Sequence, residues 1–330
     1  MNIDKINRIL SFEPKYRVQQ IFGLIFNQNI TDWDQASTLP KKLREELENS
    51  ISLDIPAKIQ QTQDTTKALI TLTDDNKIEA VLMRHENRNT VCVSTQVGCA
   101  LKCTFCATGK MGFKRNLTTY EILEQVVYFN RLLAKEDKRV TNIVFMGMGE
   151  PLLNYQNVLE SIKILHDEKL FNIGLRRISV STVGIIDGIR KLAIDLPQVN
   201  LAISLHAPND ILRQQLIPSA ENTPIKELLK AIDEYIEKTN RKVMVEYMLI
   251  KNVNDEIEHA KELCKILKGK LVVINLIPYN PTNQYEASSP EYITAFKKIL
   301  VNNRLNVTER FRHGREIDAA CGQLATKSKQ

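Results

Sequence analysis

Gly98-Cys99-Ala100-Leu101-Lys102-Cys103-Thr104-Phe105-Cys106-Ala107-Thr108-Gly109 places three thiols within eight residues, spaced C-x3-C-x2-C. Thiolates this close can converge on one small inorganic cluster, yet they fall one short of the four cysteines that hold an ordinary iron-sulfur cluster. A four-iron cluster held by three thiolates keeps one iron open to an outside molecule, so it can do chemistry there as well as carry electrons. Zinc needs a closed set of four ligands, usually two separated C-x2-C pairs, and the sequence has no second pair. The motif therefore predicts a [4Fe-4S] cluster on Cys99, Cys103 and Cys106.

Downstream of this loop, helical and strand patterns alternate. Helical stretches start near Thr119, Tyr155, Ile185, Pro224, Glu256 and Pro290, and apolar strand candidates lie at Asn142-Phe145, Ile178-Ser181, Val199-Leu205, Val243-Met248 and Val272-Ile277. Such alternation predicts an α/β fold of parallel strands with crossover helices, whose chemistry gathers at the carboxyl ends of the strands. Gly147-Met148-Gly149-Glu150-Pro151, Ser181-Thr182, Ser204-Leu205-His206 and Pro278-Tyr279-Asn280-Pro281 each follow or end a strand. Glycine before Glu150 permits close backbone approach to a ligand, and Pro151 fixes the chain after it, so this turn can present a carboxylate to an ammonium group.

Upstream, the period shifts to two through Leu69-Ile70-Thr71-Leu72 and Ile78-Glu79-Ala80-Val81-Leu82-Met83, with Asp74-Asp75-Asn76 as the turn. This hairpin leads into Thr90-Val91-Cys92-Val93-Ser94, which delivers the cluster loop. Residues 1 to about 60 read as helical, with apolar residues at Ile6, Ile9, Leu10, Val18, Ile21, Phe22, Ile25 and Phe26. Lys41, Lys42 and Arg44 form either a solvated helix face or part of an RNA-contacting accessory domain.

The composition is that of a globular protein: 330 residues suggest about two domains, with 43% hydrophobic and 25% charged residues. No basic start with an apolar run marks a signal peptide, and no apolar stretch approaches the length of a membrane span, so a cytoplasmic protein without a membrane partner is expected. Six cysteines make a poor disulfide scaffold for this length. A formal charge of +6 leans mildly toward a polyanionic partner.

Two more thiols stand out. Cys92 lies on the strand before the cluster loop, and Cys321 sits among small residues in Glu316-Ile317-Asp318-Ala319-Ala320-Cys321-Gly322-Gln323-Leu324-Ala325, where a bulky ligand can reach the sulfur. Cys264 beside Leu263 and Leu267 is a core thiol with no assigned role. A lone histidine such as His206 at a strand end reads more readily as a satisfied structural residue than as a base.

The cluster motif, with Phe105 just before its last cysteine, resembles the radical S-adenosylmethionine (SAM) superfamily. Together with Cys92-Val93-Ser94-Thr95-Gln96-Val97-Gly98-Cys99, Phe145-Met146-Gly147-Met148-Gly149-Glu150-Pro151-Leu152, Ile203-Ser204-Leu205-His206-Ala207-Pro208, Ile274-Asn275-Leu276-Ile277-Pro278-Tyr279-Asn280-Pro281 and the Cys321 segment, it resembles the RlmN and Cfr family of radical SAM RNA methyltransferases over almost the whole chain. The resemblance implies a partial (β/α)6 TIM-like barrel at 91–310, preceded by a helical accessory domain at 1–65 and a hairpin linker at 66–90, and followed by a C-terminal segment at 311–330. It implies two SAM molecules per turnover, contacted by Gly149, Glu150, Ser181, Ser204, Leu205, His206 and Asn280. It further implies Cys321 as the S-methylcysteine carrier, Cys92 as the thiol that resolves the product through a transient disulfide with Cys321, and Glu79 as the proton acceptor. Strand periodicity alone would make Glu79 part of a wet face. Ribosomal and transfer RNA are the implied substrates, with an electron donor such as flavodoxin or ferredoxin, and a monomer is expected.

RNA affinity has to come from basic residues, and Arg304, Arg310, Arg312, His313 and Arg315, or Arg176 and Arg177, are the candidates near the site. Chemistry on a ring edge requires an unstacked base, so the target is a single-stranded loop or opened helix. Glu150-Pro151 and Ile277-Pro278-Tyr279-Asn280 resemble the carbon-2 branch, RlmN, which is favoured. Arg312-His313-Gly314-Arg315-Glu316 departs from that branch, and the short N-terminal region with Pro197-Gln198-Val199-Asn200-Leu201 resembles the carbon-8 branch, Cfr. From other classes, a radical SAM activase or small-molecule enzyme would not need Cys92 or Cys321, and a pure electron-transfer or metal-binding module would not cleave SAM.

Overall fold

The alternating apolar stretches of the second half fold as parallel strands with helices packed outside them. The computed structural model describes residues 6, 8–282, 284–309 and 314–326. Arg310, Arg312 and His313 lie outside the described residues, and of Arg315 only the backbone is described. Helices α1 (Lys15–Phe26) and α2 (Lys41–Ser50) precede strands β1 (Ala57–Gln61), β2 (Thr65–Thr71), β3 (Lys77–His85) and β4 (Arg88–Cys92). A two-stranded ribbon of β5 (Gln96–Gly98) and β6 (Phe113–Asn116) brackets the one-turn helix α3 (Ala107–Lys110). The repeating units follow as α4 (Thr119–Ala134), β7 (Asn142–Phe145), α5 (Tyr155–His166), β8 (Ile178–Thr182), α6 (Ile186–Asp195), β9 (Asn200–Ser204), α7 (Asp210–Leu216), α8 (Ile225–Thr239), β10 (Val243–Leu249), α9 (Ile257–Leu267), β11 (Val272–Pro278), α10 (Pro290–Asn302) and β12 (Asn306–Glu309).

One ten-stranded sheet has the order β1-β2-β3-β4-β7-β8-β9-β10-β11-β12. Strands β1 to β4 pair antiparallel, and every pairing from β4 to β12 is parallel. This is an α/β architecture, a parallel core extended at one edge by an antiparallel meander. Local signals set the helices in place. The start of α4 carries a capping box, in which Thr118 Oγ1 accepts from the Glu121 N–H and the Glu121 carboxylate accepts from the Thr118 N–H. Helix α8 buries Ile225, Leu228, Ala231, Ile232 and Tyr235, the three-and-four spacing of one face, and ends at Asn240 in the left-handed conformation.

The N-terminal region is fixed to the barrel rather than tethered beside it. Phe26 stacks on Phe171 with ring centroids 5.1 Å apart, and the Arg131 guanidinium from α4 donates to the carbonyls of Ile30 and Leu53. Ile21, Leu24 and Trp33 belong to the same buried apolar cluster as the barrel strands. Among the described residues, the helical reading of residues 1 to 60 is met by α1 and α2 and ends at Ser50: residues 57–61 form the edge strand β1, antiparallel to β2. Its polar sequence, Ala-Lys-Ile-Gln-Gln, hides that strand from periodicity while protecting an exposed edge. The stretch 66–90, expected as a hairpin linker, lies mostly in β2, β3 and the start of β4, in the same sheet as the barrel. Edge strand β12 is equally polar and has no apolar signal in the sequence. No helix among the described residues is long and apolar enough to cross a membrane.

Candidate active site at the carboxyl ends of the parallel strands

The cluster loop is shaped by its backbone. Gly98 sits at φ 77°, and a Cβ there would lie 1.8 Å from the Gly112 carbonyl oxygen, the same oxygen that accepts from the Cys99 N–H at 2.9 Å. Only glycine lets the chain turn this tightly before the first thiol. Further along, the Cys106 N–H donates to Cys103 O, and the Thr104 N–H donates to Leu216 O. Cys99, Cys103 and Cys106 line one cavity, with Cys99 and Cys103 buried and Cys106 partly open.

Burial pushes the Cys99 thiol up to about 12 and the Cys103 thiol well above its ordinary range, and the neighbouring thiols raise both further. As bare side chains they stay protonated at neutral pH. A bound cation of matching softness would draw those two thiols into the thiolate form, and three soft sulfur donors facing one cavity fit an iron-sulfur cluster. Among the described residues no three His, Cys, Asp or Glu groups close on a single metal-ion point. A cube that offers each thiolate a different iron needs them spread apart, so the donor set fits the [4Fe-4S] cluster that the cysteine motif predicts.

The same cavity is lined by Gly149, Glu150, Ser181, Ser204 and His206. Gly149 at φ 99° packs so tightly against Gln96 that a Cβ would lie 2.5 Å from the Gln96 Cβ. The Glu150 carboxylate accepts from the N–H groups of Leu152 and Val183, both at 3.0 Å. Burial nevertheless pushes its pKa up to about 7, so a cationic partner would stabilise its charged form.

His206 is not a base here. Its Nδ1 accepts from the Met248 N–H at 3.1 Å, its carbonyl accepts from Asn254, and Phe105 meets its ring edge-on at 4.9 Å. Burial, helped by the Arg213 charge, holds its pKa down at about 3. The neutral ring therefore carries its proton on Nε2. Leu205 lines neither cavity of the site; its N–H donates to the Glu246 carbonyl.

A second cavity of about 750 Å³ adjoins the first and is lined by Cys92, Asn280 and the segment Ala319-Ala320-Cys321-Gly322. Cys321 lines both cavities. Its segment is docked on the cluster loop: the Ala107 N–H donates to Gly322 O at 2.7 Å and Thr108 Oγ1 to Leu324 O at 2.6 Å. Asn280 Nδ2 donates to the Cys321 carbonyl at 3.3 Å. Glu79 lies beneath the segment and is buried, its Oε2 accepting from the Ala325 N–H at 2.8 Å and its Oε1 lying 3.3 Å from Lys67 Nζ. The structure thus makes Glu79 part of the interior, in place of the wet face that strand periodicity suggests.

Two groups of arginines fall away from the site. Arg176 and Arg177 precede β8, and Arg304 precedes β12, so they lie at the amino ends of parallel strands whose carboxyl ends hold the chemistry. Five residues of β8 separate Arg177 from the loop after Thr182, about 16 Å at the usual rise of a strand. Lys41 and Lys42 are exposed on α2, while Arg44, partly buried, lies 4.0 Å from Asp34. Sequence reasoning passed over Glu246, a buried carboxylate in the thiol cavity that accepts from Ser181 Oγ at 2.7 Å and Ser204 Oγ at 3.2 Å. Its signal was present as a charged residue inside the apolar strand Val243-Met244-Val245-Glu246-Tyr247-Met248.

The chain is similar to known proteins over its whole length. Residues 93–264 match the radical SAM superfamily. A relative from Dictyoglomus thermophilum, described as a probable dual-specificity RNA methyltransferase RlmN, is 48% identical over 98% of this chain and 94% of its own. Another of the same description, from Thermotoga sp. strain RQ2, is 46% identical over 95% of this chain and 92% of its own. The crystal structure of a radical SAM methyltransferase from Sphaerobacter thermophilus superposes with a TM-score of 0.92 at 42% identity, covering 99% of this chain and 98% of that one.

Proposed function

Since the chain belongs to the RlmN family of radical SAM RNA methyltransferases, we propose that it methylates carbon 2 of adenine in large-subunit ribosomal RNA and in transfer RNA, through an S-methylcysteine on Cys321 and with two SAM molecules per turnover. The observation that carries this reading is the place of Cys321 in the wall between two cavities, one with the three cluster thiols and one with Cys92. A sulfur that must meet SAM on one side and a nucleobase and a second thiol on the other needs that position.

The chemistry explains the need for a carrier. An adenine ring carbon bearing only hydrogen has no lone pair with which to attack a methyl sulfonium, so polar transfer fails. Cys99, Cys103 and Cys106 would hold the [4Fe-4S] cluster, which would supply the low-potential electron for splitting SAM to a 5′-deoxyadenosyl radical. Glu150, a carboxylate at the turn beside that cavity, holds the amino group of SAM, and Ser181, Ser204 and His206 line the same space. Cys321 carries a methyl group on its sulfur; loss of one hydrogen atom from that methyl to the radical derived from SAM leaves a carbon radical that adds to the ring and links protein and RNA covalently. Glu79 takes the ring proton as one electron leaves the adduct for the centre that supplied it, which restores the aromatic ring. The Cys92 thiolate then bonds to the Cys321 sulfur as the carbon–sulfur bond breaks, and the freed carbon takes up a proton to become the methyl group, leaving a disulfide that an outside reductant must reopen. A donor such as flavodoxin or ferredoxin supplies the low-potential electron, residues 1–65 contribute to RNA contact, and the reaction belongs in the cytoplasm.

The relatives are described as dual-specificity RNA methyltransferases RlmN, which favours the RlmN reading over the carbon-8 alternative. Mass spectrometry of ribosomal and transfer RNA from cells with and without this gene tests it. Gene-dependent 2-methyladenosine in both RNAs is the expected result; 8-methyladenosine confined to ribosomal RNA would overturn it in favour of the Cfr-type enzyme. Unchanged RNA modification in a Cys321→Ala strain would remove the carrier role.

A further inference from the structure

We infer that Lys67 is a positioning residue which, together with Glu79, latches the segment bearing Cys321, and that Glu79 can accept a substrate proton only after that segment lifts. The inference rests on the reading of Cys321 as carrier and Glu79 as base, and it adds a residue and an order of events to that reading.

Lys67 on β2 and Glu79 on β3 are buried to within a few percent, and they are diagonal neighbours, Lys67 facing Val81 and Leu69 facing Glu79 in the register. The Lys67 Nζ lies 3.3 Å from Glu79 Oε1 and donates to the Asp318 carbonyl at 3.4 Å. The other carboxylate oxygen, Oε2, accepts from the Ala325 N–H at 2.8 Å. One buried ion pair therefore holds the segment at both ends, Asp318 through the lysine and Ala325 through the glutamate. A buried pair of this kind is weak evidence of stability, since apolar residues of the same volume would often serve the fold as well. Its partners at Asp318 and Ala325 point instead to control of the segment.

In this closed arrangement one Glu79 oxygen meets an ammonium and the other an amide, and the residue is 1% exposed and lines neither cavity, so a substrate in either cavity does not reach its carboxylate. The cavity shared by Cys92 and Cys321 is walled in part by Ala319, Ala320 and Leu324. A nucleobase entering there displaces the segment, which breaks the Ala325 and Asp318 bonds together and leaves Glu79 paired only with Lys67. Asp318 and Thr326, near the two ends, both sit at positive φ, 51° and 53°. That conformation is costly for a β-branched residue, so the closed segment holds strain at its end that lifting can release. Methyl loading of Cys321 then belongs to the closed state and proton removal to the open one.

Hydrogen–deuterium exchange of the purified full chain at the Ala325 amide tests the latch without reference to turnover. The double variant Lys67→Met/Glu79→Leu removes both charges, so that none is left buried alone, together with the oxygen that accepts from the Ala325 N–H; Ala325 should exchange roughly tenfold faster, or more, than in wild type, with far-UV circular dichroism unchanged. Lys67→Arg should keep the wild-type rate. Wild-type exchange at Ala325 in the folded double variant would overturn the latch whatever Cys321 does. Accelerated exchange with a Cys321 that never gains methyl mass would leave the latch standing and sink the carrier reading instead. Saturation of the wild type with an unmodified transfer RNA transcript should also speed exchange at Ala325, and unchanged or slower exchange there would overturn the lifting step.

Discussion

The Ala107 N–H, one residue past the third cluster thiol, donates to the carbonyl of Gly322, one residue past Cys321, at 2.7 Å. More than two hundred residues of sequence separate the two, yet this bond and the Thr108–Leu324 bond make the cluster loop and the Cys321 segment one structural unit. Whatever orders the loop also places the sulfur.

Thr108→Val should separate the two. Valine keeps the shape of Thr108 and loses its 2.6 Å bond to Leu324 O, a loss of about 1 kcal/mol or a severalfold shift away from the docked segment. The expected outcome is slower methylation of Cys321, followed by intact-protein mass spectrometry, at unchanged iron content.

Removing the resolving thiol should trap the reaction. With Cys92→Ala, the link between Cys321 and RNA has no thiol to break it, and a protein–RNA adduct should appear as a shifted band on a denaturing gel. Cys321→Ala should give neither the adduct nor a methylated protein.

Gly98→Ala should cost the cluster its loop. Positive φ alone penalises alanine by about 1 to 3 kcal/mol, and a Cβ 1.8 Å from Gly112 O forces backbone movement at the Cys99 hydrogen bond. Reconstituted protein should hold less iron per chain and melt at lower temperature, whereas Gly112→Ala meets no atom within 4 Å and bears only the strain of its φ of 73°.

Glu150 gives a pH dependence with a definite sign. Burial raises its pKa to about 7, above the ordinary 4.5, so the empty protein loses stability as pH rises through the window from about 4.5 to 7. An ammonium ligand prefers the carboxylate, so affinity for S-adenosylhomocysteine should fall as pH drops below about 7, approaching tenfold per unit. Titration calorimetry at pH 6, 7 and 8 should show that trend in wild type and a flat, weaker affinity in Glu150→Gln. His206 acts oppositely on stability: with its pKa held at about 3, it destabilises the fold as pH falls below about 6.5.

Sequence alone determined the cluster motif, the strand and helix alternation, and the identity of most residues at the carboxyl ends of the strands. These are local properties: thiol spacing within one loop, apolar spacing of two or of three and four, a glycine before Glu150. The polar edge strands β1 and β12 escaped because an edge has little apolar surface to bury. Tertiary structure alone decided what meets what. Parallel register sent Arg176, Arg177 and Arg304 to the wrong end of their strands, turned Glu246 under Ser181 and Ser204, set Lys67 beside Glu79, and docked Cys321 on a loop two hundred residues away. No local pattern encodes such meetings, since they depend on how whole strands and loops stack once the core has closed.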